Sequence, residues 1–268
     1  MKKLLFIFLS ALLIVSCGAS KEGKKDKLPK GGINLFPVAQ DIALGAQVAH
    51  QLDSLSDQYP VLDSASNVAA YAFLYNLRDR IIATGKVKYA NEFAWQLRII
   101  DDDSTLNAFC TPGGYIYVYT GIIKYLDTED ELAGVMGHEM AHADLRHSTR
   151  QMTKTYGLEV VLSAINGGEA LKQITAGIIG LKFSRSHETE ADQMSVHYLC
   201  GTEYDADGGA GFFEKIEASG GSRTPEFMST HPSPANRVAN YHKWATDEGC
   251  APGKDNTRRY KNFKRLFD

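Results

Sequence analysis

The sequence predicts an α+β domain, mainly helical, with a small antiparallel or mixed sheet packed among the helices. Three observations lead there. The stretch 93-FAWQLRII-100 alternates apolar and other residues, and two further short β-rich runs follow at about 106–110 and 115–120. Pro112-Gly113-Gly114 separates those two runs as a turn. After Gly121 the apolar residues recur at helical spacing to about residue 247.

In chain order, residues 38–58 and 64–82 carry helix-like spacing, with Asp63 or Ser64 placed to cap the second. Phe93, Trp95, Leu97 and Ile99 alternate with Ala94, Gln96, Arg98 and Ile100, the pattern of a half-buried strand. Helices are expected at about 128–148, 151–165, 169–200, 207–218 and 234–247. Thr128 with Glu131 forms a capping-box pattern, and Gly201 suits a helix end after Cys200. At 268 residues the chain is long enough for one sizeable core or two small domains.

The net charge of −3 and the pI of about 6.2 argue against a nucleic-acid partner. Basic residues gather at Lys21–Lys30 and again from Lys254 to Arg265, where they read as solvated tails. Lys2 and Lys3 precede an apolar run from Leu4 to Val15, which is the pattern of a secretory leader over 1–16. A run of twelve residues falls short of the roughly 18 that a bilayer span needs. Ile14-Val15-Ser16-Cys17 resembles a lipobox, which implies lipidation at Cys17 and membrane attachment through that lipid alone. Residues 17–33 then read as the lipidated start and a flexible tether, 34–250 as the domain, and 251–268 as a basic tail. Export would bring an oxidising compartment. Among Cys110, Cys200 and Cys250, the first sits in a buried-strand pattern and the others flank helix ends, so Cys200–Cys250 is the expected disulfide.

The stretch 137-GHEMAHADLRH-147 places three of the chain's eight histidines on one expected helix. His138 and His142 are four apart, a rotation of about 400°, so both imidazoles leave the same face and can chelate one ion. Glu139 lies about 100° round, able to reach a water beside the metal without taking a ligand position. His147 is about 140° beyond His142 on a straight helix and reads as structural or surface. A polar helix face would also explain the histidines, but Leu132, Val135, Met136, Ala141 and Leu145 make the surroundings apolar. A third ligand is sought in 183-FSRSHETEADQMSVHYL-199. There Glu188 and Asp192 share a face, one to bind the metal and one to hold a ligand histidine's second N–H. His187 and Glu190 compete with Glu188 for the ligand role.

HEMAH followed by Ser184-Arg185-x-x-Glu188-x-x-Ala191-Asp192 resembles the HExxH…SRxxExxAD signature of the HtpX-like and CAAX-prenyl-protease family of zinc peptidases. 107-NAFCTPGGYIYVYTGII-123 and 231-HPSPANR-237 are similar to two further segments of that family, in the same order. With no later membrane-spanning run, the chain resembles the family's soluble branch of bacterial lipoprotein and periplasmic proteases. The resemblance implies a zincin-type fold and a site with one Zn2+ on His138, His142 and Glu188, with Glu139 as general base and then acid. Asp192 and Arg237 are expected beside the ligands. Main-chain groups at Asn107 and Ala108 are expected to hold an extended peptide by strand addition. His231 would either stabilise the oxyanion or bind the zinc and close the site at rest. The implied activity is endopeptidase action on unfolded or misassembled cell-envelope proteins, from a lipid anchor on the periplasmic face of the outer membrane. An aminopeptidase or narrow processing enzyme, and a chaperone-like lipoprotein with a closed zinc site, remain as rivals.

Overall fold

Alternation between Gln96 and Tyr119 sorts the strand side chains onto two faces, and helices cover both. The computed structural model describes residues 26–30, 32, 34–218 and 225–268. The expected leader, Cys17 and most of the expected tether lie outside these residues. Helices α1 (Val38–Ser54) and α2 (Val68–Ala83) precede strands β1 (Gln96–Ile100), β2 (Ala108–Thr111) and β3 (Tyr115–Tyr119). There follow α3 (Thr120–Tyr125), α4 (Glu129–Asp144), α5 (His147–Tyr156), α6 (Leu158–Ala164), α7 (Gly168–Ile178), α8 (Arg185–Leu199), α9 (Gly209–Ala218), α10 (Glu226–Thr230), α11 (Arg237–Glu248) and α12 (Thr257–Lys264).

The sheet has the order β1-β3-β2 and is mixed. β3 runs parallel to β1, with Leu97 opposite Ile116, and antiparallel to β2, with Phe109 opposite Tyr117. Successive Cβ atoms point to opposite faces. Leu97, Ile99, Ala108, Cys110, Ile116 and Val118 therefore join one core with α2, α4 and α8. Phe109, Tyr117 and Tyr119 enter a second core with α1 and α7. Each fully buried Leu or Phe in these cores contributes roughly 1.5–3 kcal/mol against exposure. Gly113 and Gly114, at φ 73° and 83°, make the β2–β3 turn in a region that other residues enter at a cost. Gly134 of α4 lets α9 approach closely, since a Cβ there would sit 2.3 Å from the Gly209 Cα.

The mixed sheet among helices is as the sequence predicts, and several boundaries differ. The expected 169–200 helix is two, because α7 ends at Ile178 and Ser184 caps α8 by accepting from the His187 N–H at 3.2 Å. β1 starts at Gln96: Trp95 has φ 45°, which takes Phe93 and Trp95 out of the ladder although both stay buried. The 128–148 helix stops at Asp144, and Arg146 at φ 59° starts a new one.

The expected basic tail is corrected. Its residues form α12, burying Tyr260 and Phe263, and Arg259 pairs with Glu129 at 2.5 Å. The described part of the expected tether lies on the domain, with Asp26 accepting from Lys243 at 2.7 Å and from Trp244 at 3.2 Å. Cys200 and Cys250 form the disulfide, and Cys110 is a buried free thiol.

Candidate metal centre

α4 begins with the Thr128 hydroxyl accepting from the Glu131 N–H at 3.2 Å, and Glu129, Asp130 and Glu131 oppose the positive end of its dipole. The helix is buried on almost every side, so its polar residues need partners inside the protein. α4 supplies His138, Glu139 and His142, α8 supplies Glu188, and the turn after α10 supplies His231. All five are at most 2% exposed.

The donor atoms form a compact group. His138 Nε2 lies 3.0 Å from His142 Nε2, 3.4 Å from Glu188 Oε2 and 3.3 Å from His231 Nδ1. Glu188 Oε1 lies 3.4 Å from His142 Nε2 and 3.2 Å from His231 Nδ1. A tetrahedral ion with bonds of about 2.0–2.2 Å has ligand–ligand edges of about 3.3–3.6 Å. The measured spacings match or fall slightly inside that figure, and three imidazoles with one carboxylate suit an ion of zinc's character. These residues fit a metal ion at their centre.

The neighbours hold this group in place. His138 Nδ1 faces Asp192 Oδ1 at 2.9 Å. Asp192 also accepts from Tyr241 at 2.8 Å and from Arg237 at 2.7 Å, and Arg237 reaches Glu188 at 3.1 Å. The Arg237 guanidinium sits 3.8 Å over the Phe213 ring. Burial opposes charge on Asp192, but Arg237 and His138 outweigh it and hold the carboxyl below its ordinary range. Burial likewise opposes a charged His138, yet Asp192 and Glu188 push it up to about 9.

Glu139 is different. Burial raises its carboxyl above the ordinary value, against the opposing fields of His231 and His138. His231 Nε2 stands 3.6 Å from Glu139 Oε1. The Cys110 thiol adjoins the carboxyl.

Of the competitors for Glu188's place, neither joins the donor group. Glu190 turns to His147 at 3.1 Å, and the His187 ring stacks on the His147 ring at 4.4 Å. His147 was expected to point away from the metal residues. Instead its Nδ1 lies 3.0 Å from His142 Nδ1, because the helix breaks at Arg146 and α5 re-aims it. Leu145-Arg146 carries no glycine or proline to mark that break, so the sequence offers no signal for it. The Phe183 ring lies 4.0 Å from the His142 ring and the Phe227 ring stacks 4.2 Å from His231, two contacts that no local sequence pattern marks. Asn107 is buried just before the edge strand, and Ala108 opens that strand opposite Val118.

Among known proteins, Peptidase family M48 matches residues 72–245. The chain is 33% identical over 147 residues to mitochondrial metalloendopeptidase OMA1 of Arabidopsis thaliana, covering 54% of this chain and 30% of that protein. To metalloprotease YcaL of Escherichia coli (strain K12) it is 27% identical over 247 residues, covering 88% and 94%. To the beta-barrel assembly-enhancing protease of the same organism it is 31% identical over 158 residues, covering 53% and 32%. The chain spans 30% to 50% of the OMA1 proteins it matches.

Proposed function

The chain belongs to Peptidase family M48, and from that premise we propose that it is a zinc metalloendopeptidase of the cell envelope, held latent at rest. The observation that carries the reading is a compact, buried set of four donors beside the buried carboxyl of Glu139. His138, His142 and Glu188 are the permanent ligands, and His231 is the fourth at rest.

Bound there, zinc supplies a Lewis acid that acidifies water and polarises the scissile carbonyl. Glu139 takes the proton of the attacking water and delivers it to the leaving amine; burial, which raises its proton affinity, suits it to hold that proton between the two steps. Asp192 orients His138, and Arg237 balances the charge of Asp192 and Glu188. Ala108 offers main-chain groups at an edge strand to an extended substrate, whereas the expected role of the Asn107 carbonyl is displaced because it accepts from the Tyr119 N–H at 3.2 Å.

Catalytic zinc sites keep a position open, whereas a shell with four protein ligands is closed. His231 Nδ1, at 3.2–3.3 Å from two other donors, favours closure over an oxyanion role. Turnover then waits for His231 and the turn that follows it to leave the donor group. The relative named for enhancing β-barrel assembly, and the leader-like sequence ending in Cys17, support substrates among unfolded or misassembled envelope proteins. The lipobox-like Ile14-Val15-Ser16-Cys17 supports the lipoprotein branch of the family, with Cys17 as the lipid attachment.

The same closed geometry favours one rival, an envelope chaperone with a sealed zinc site. Hydrolysis of unfolded casein separates the two. The wild type should cleave it, and Glu139→Gln should keep its zinc while losing about 10²–10⁴ in rate. Equal rates in the two proteins would refute the protease reading.

A further inference from the structure

A cavity of about 430 Å³ opens at the beginning of the edge strand β2. Tyr59, Asp102, Asn107, Tyr119, Ile179 and Glu226 are among the residues that line it. It is joined to the metal centre by one short seam. The Phe227 N–H donates to the Leu106 carbonyl at 3.1 Å, and the Phe227 ring stacks on His231.

Two features of its wall point to a ligand. Among the described residues that line it, both charged ones, Asp102 and Glu226, are acidic, and none is Lys, Arg or His. The hydroxyls of Ser104 and Thr105 donate to Asp102 at 2.6 Å and hold its carboxyl below the ordinary range, so it is ionised at neutral pH. Burial, with the fields of Tyr59, Asp102 and Glu226, raises the Tyr119 phenol, so that ring faces the cavity as a neutral π surface. Independently, Asn107 is fully buried, and neither its amide nitrogen nor its oxygen has a partner among the described residues. Buried amides are almost always paired, and one left unpaired in a cavity wall is suited to a ligand that brings the partner.

We propose that this cavity is a substrate side-chain subsite that selects lysine or arginine. The inference rests on the protease reading above. Cys110 adjoins Glu139, and Asn107 lies three residues earlier, about 10 Å along an extended chain. A peptide lying along β2 has the same rise, so the cavity receives the side chain two or three residues from the cleaved bond. The cationic head meets Asp102 and Glu226, its stem lies along Tyr59 and Tyr119, and Asn107 hydrogen-bonds the peptide or the head.

The test uses zinc-loaded full chain and fluorogenic peptides that differ only in lysine or norleucine at one of the three positions on either side of the cleaved bond. At one position lysine should raise kcat/KM roughly tenfold over norleucine. Glu226→Gln and, separately, Asp102→Asn should bring that ratio toward one, whereas a general structural defect would lower both rates together. A lysine-to-norleucine ratio near one at every position in the wild type overturns the subsite, as does a ratio that survives both substitutions. Calorimetry of the same peptides on zinc-loaded Glu139→Gln reads the subsite without turnover. A lysine preference there, lost on adding Glu226→Gln, supports the subsite even if no peptide is cleaved, and then the protease reading alone fails. Equal binding of the two peptides overturns the subsite.

Discussion

The Nδ1 atoms of His142 and His147 lie 3.0 Å apart, and Glu190 lies 3.1 Å from the other nitrogen of His147. With its Nε2 turned to the donor group, His142 carries a proton on Nδ1 and donates it to His147. His147 then holds its own proton on Nε2 and donates to Glu190. Burial holds His147 below its ordinary pKa, in keeping with this neutral relay. Glu190 therefore orients the His142 imidazole through an intervening one. His147→Ala should weaken zinc binding about 10–100-fold, measured by competition with a chelator, and His147→Gln should recover part of the loss. Unchanged affinity in the alanine variant would reduce His147 to a space-filling role.

Glu188 and His187 are neighbours with opposite fates, one facing the donor group and one stacked on His147. Glu188→Gln should lose most of its zinc at equilibrium, and His187→Ala should retain about one ion per chain by metal analysis. The reverse pattern would show that the third ligand is misassigned.

His231 distinguishes a gate from a catalytic donor. If it closes the shell, His231→Ala keeps its zinc and hydrolyses casein faster, by roughly tenfold for a site shut nine-tenths of the time. A role at the oxyanion predicts a fall of about 10²–10³ instead. Initial rates at equal zinc content decide between them.

Arg237 is a buried cation between two buried carboxylates, with Phe213 beneath it. Arg237→Met keeps most of the volume but strands the negative charge. Removing one partner of such a group costs about 3–5 kcal/mol, and the lower end is expected because Tyr241 and His138 still serve Asp192. Urea unfolding of the zinc-loaded proteins measures the difference.

Features with their own local geometry were legible in the sequence. Spacings of four on α4 and α8 put His138 with His142, and Glu188 with Asp192, on common faces. Pro112-Gly113-Gly114 marked its turn, and the cysteines at two helix ends marked the disulfide. Features that depend on an unmarked break were not. On a straight helix His147 turns away, and only the left-handed Arg146 brings it back. The end of α7 is hidden because Leu181 and Phe183 stay buried after the helical hydrogen bonds stop, so apolar periodicity continues past the helix. The folded C-terminus escaped notice because Arg259 finds Glu129 at a separation of 130 residues, beyond any local pattern.

The Cys200–Cys250 bond closes a 50-residue stretch that includes His231 and begins just after the helix bearing Glu188. The segment nearest the metal is thus fastened at both ends by a covalent link. A backbone cut anywhere from Thr202 to Asn236 leaves the piece with Glu188 attached through this bond to the piece with Arg237. Self-nicking within that stretch would produce a two-chain molecule that holds Glu188 and Arg237 together. Such a molecule runs as one band on a gel until thiol is added, and as two afterwards.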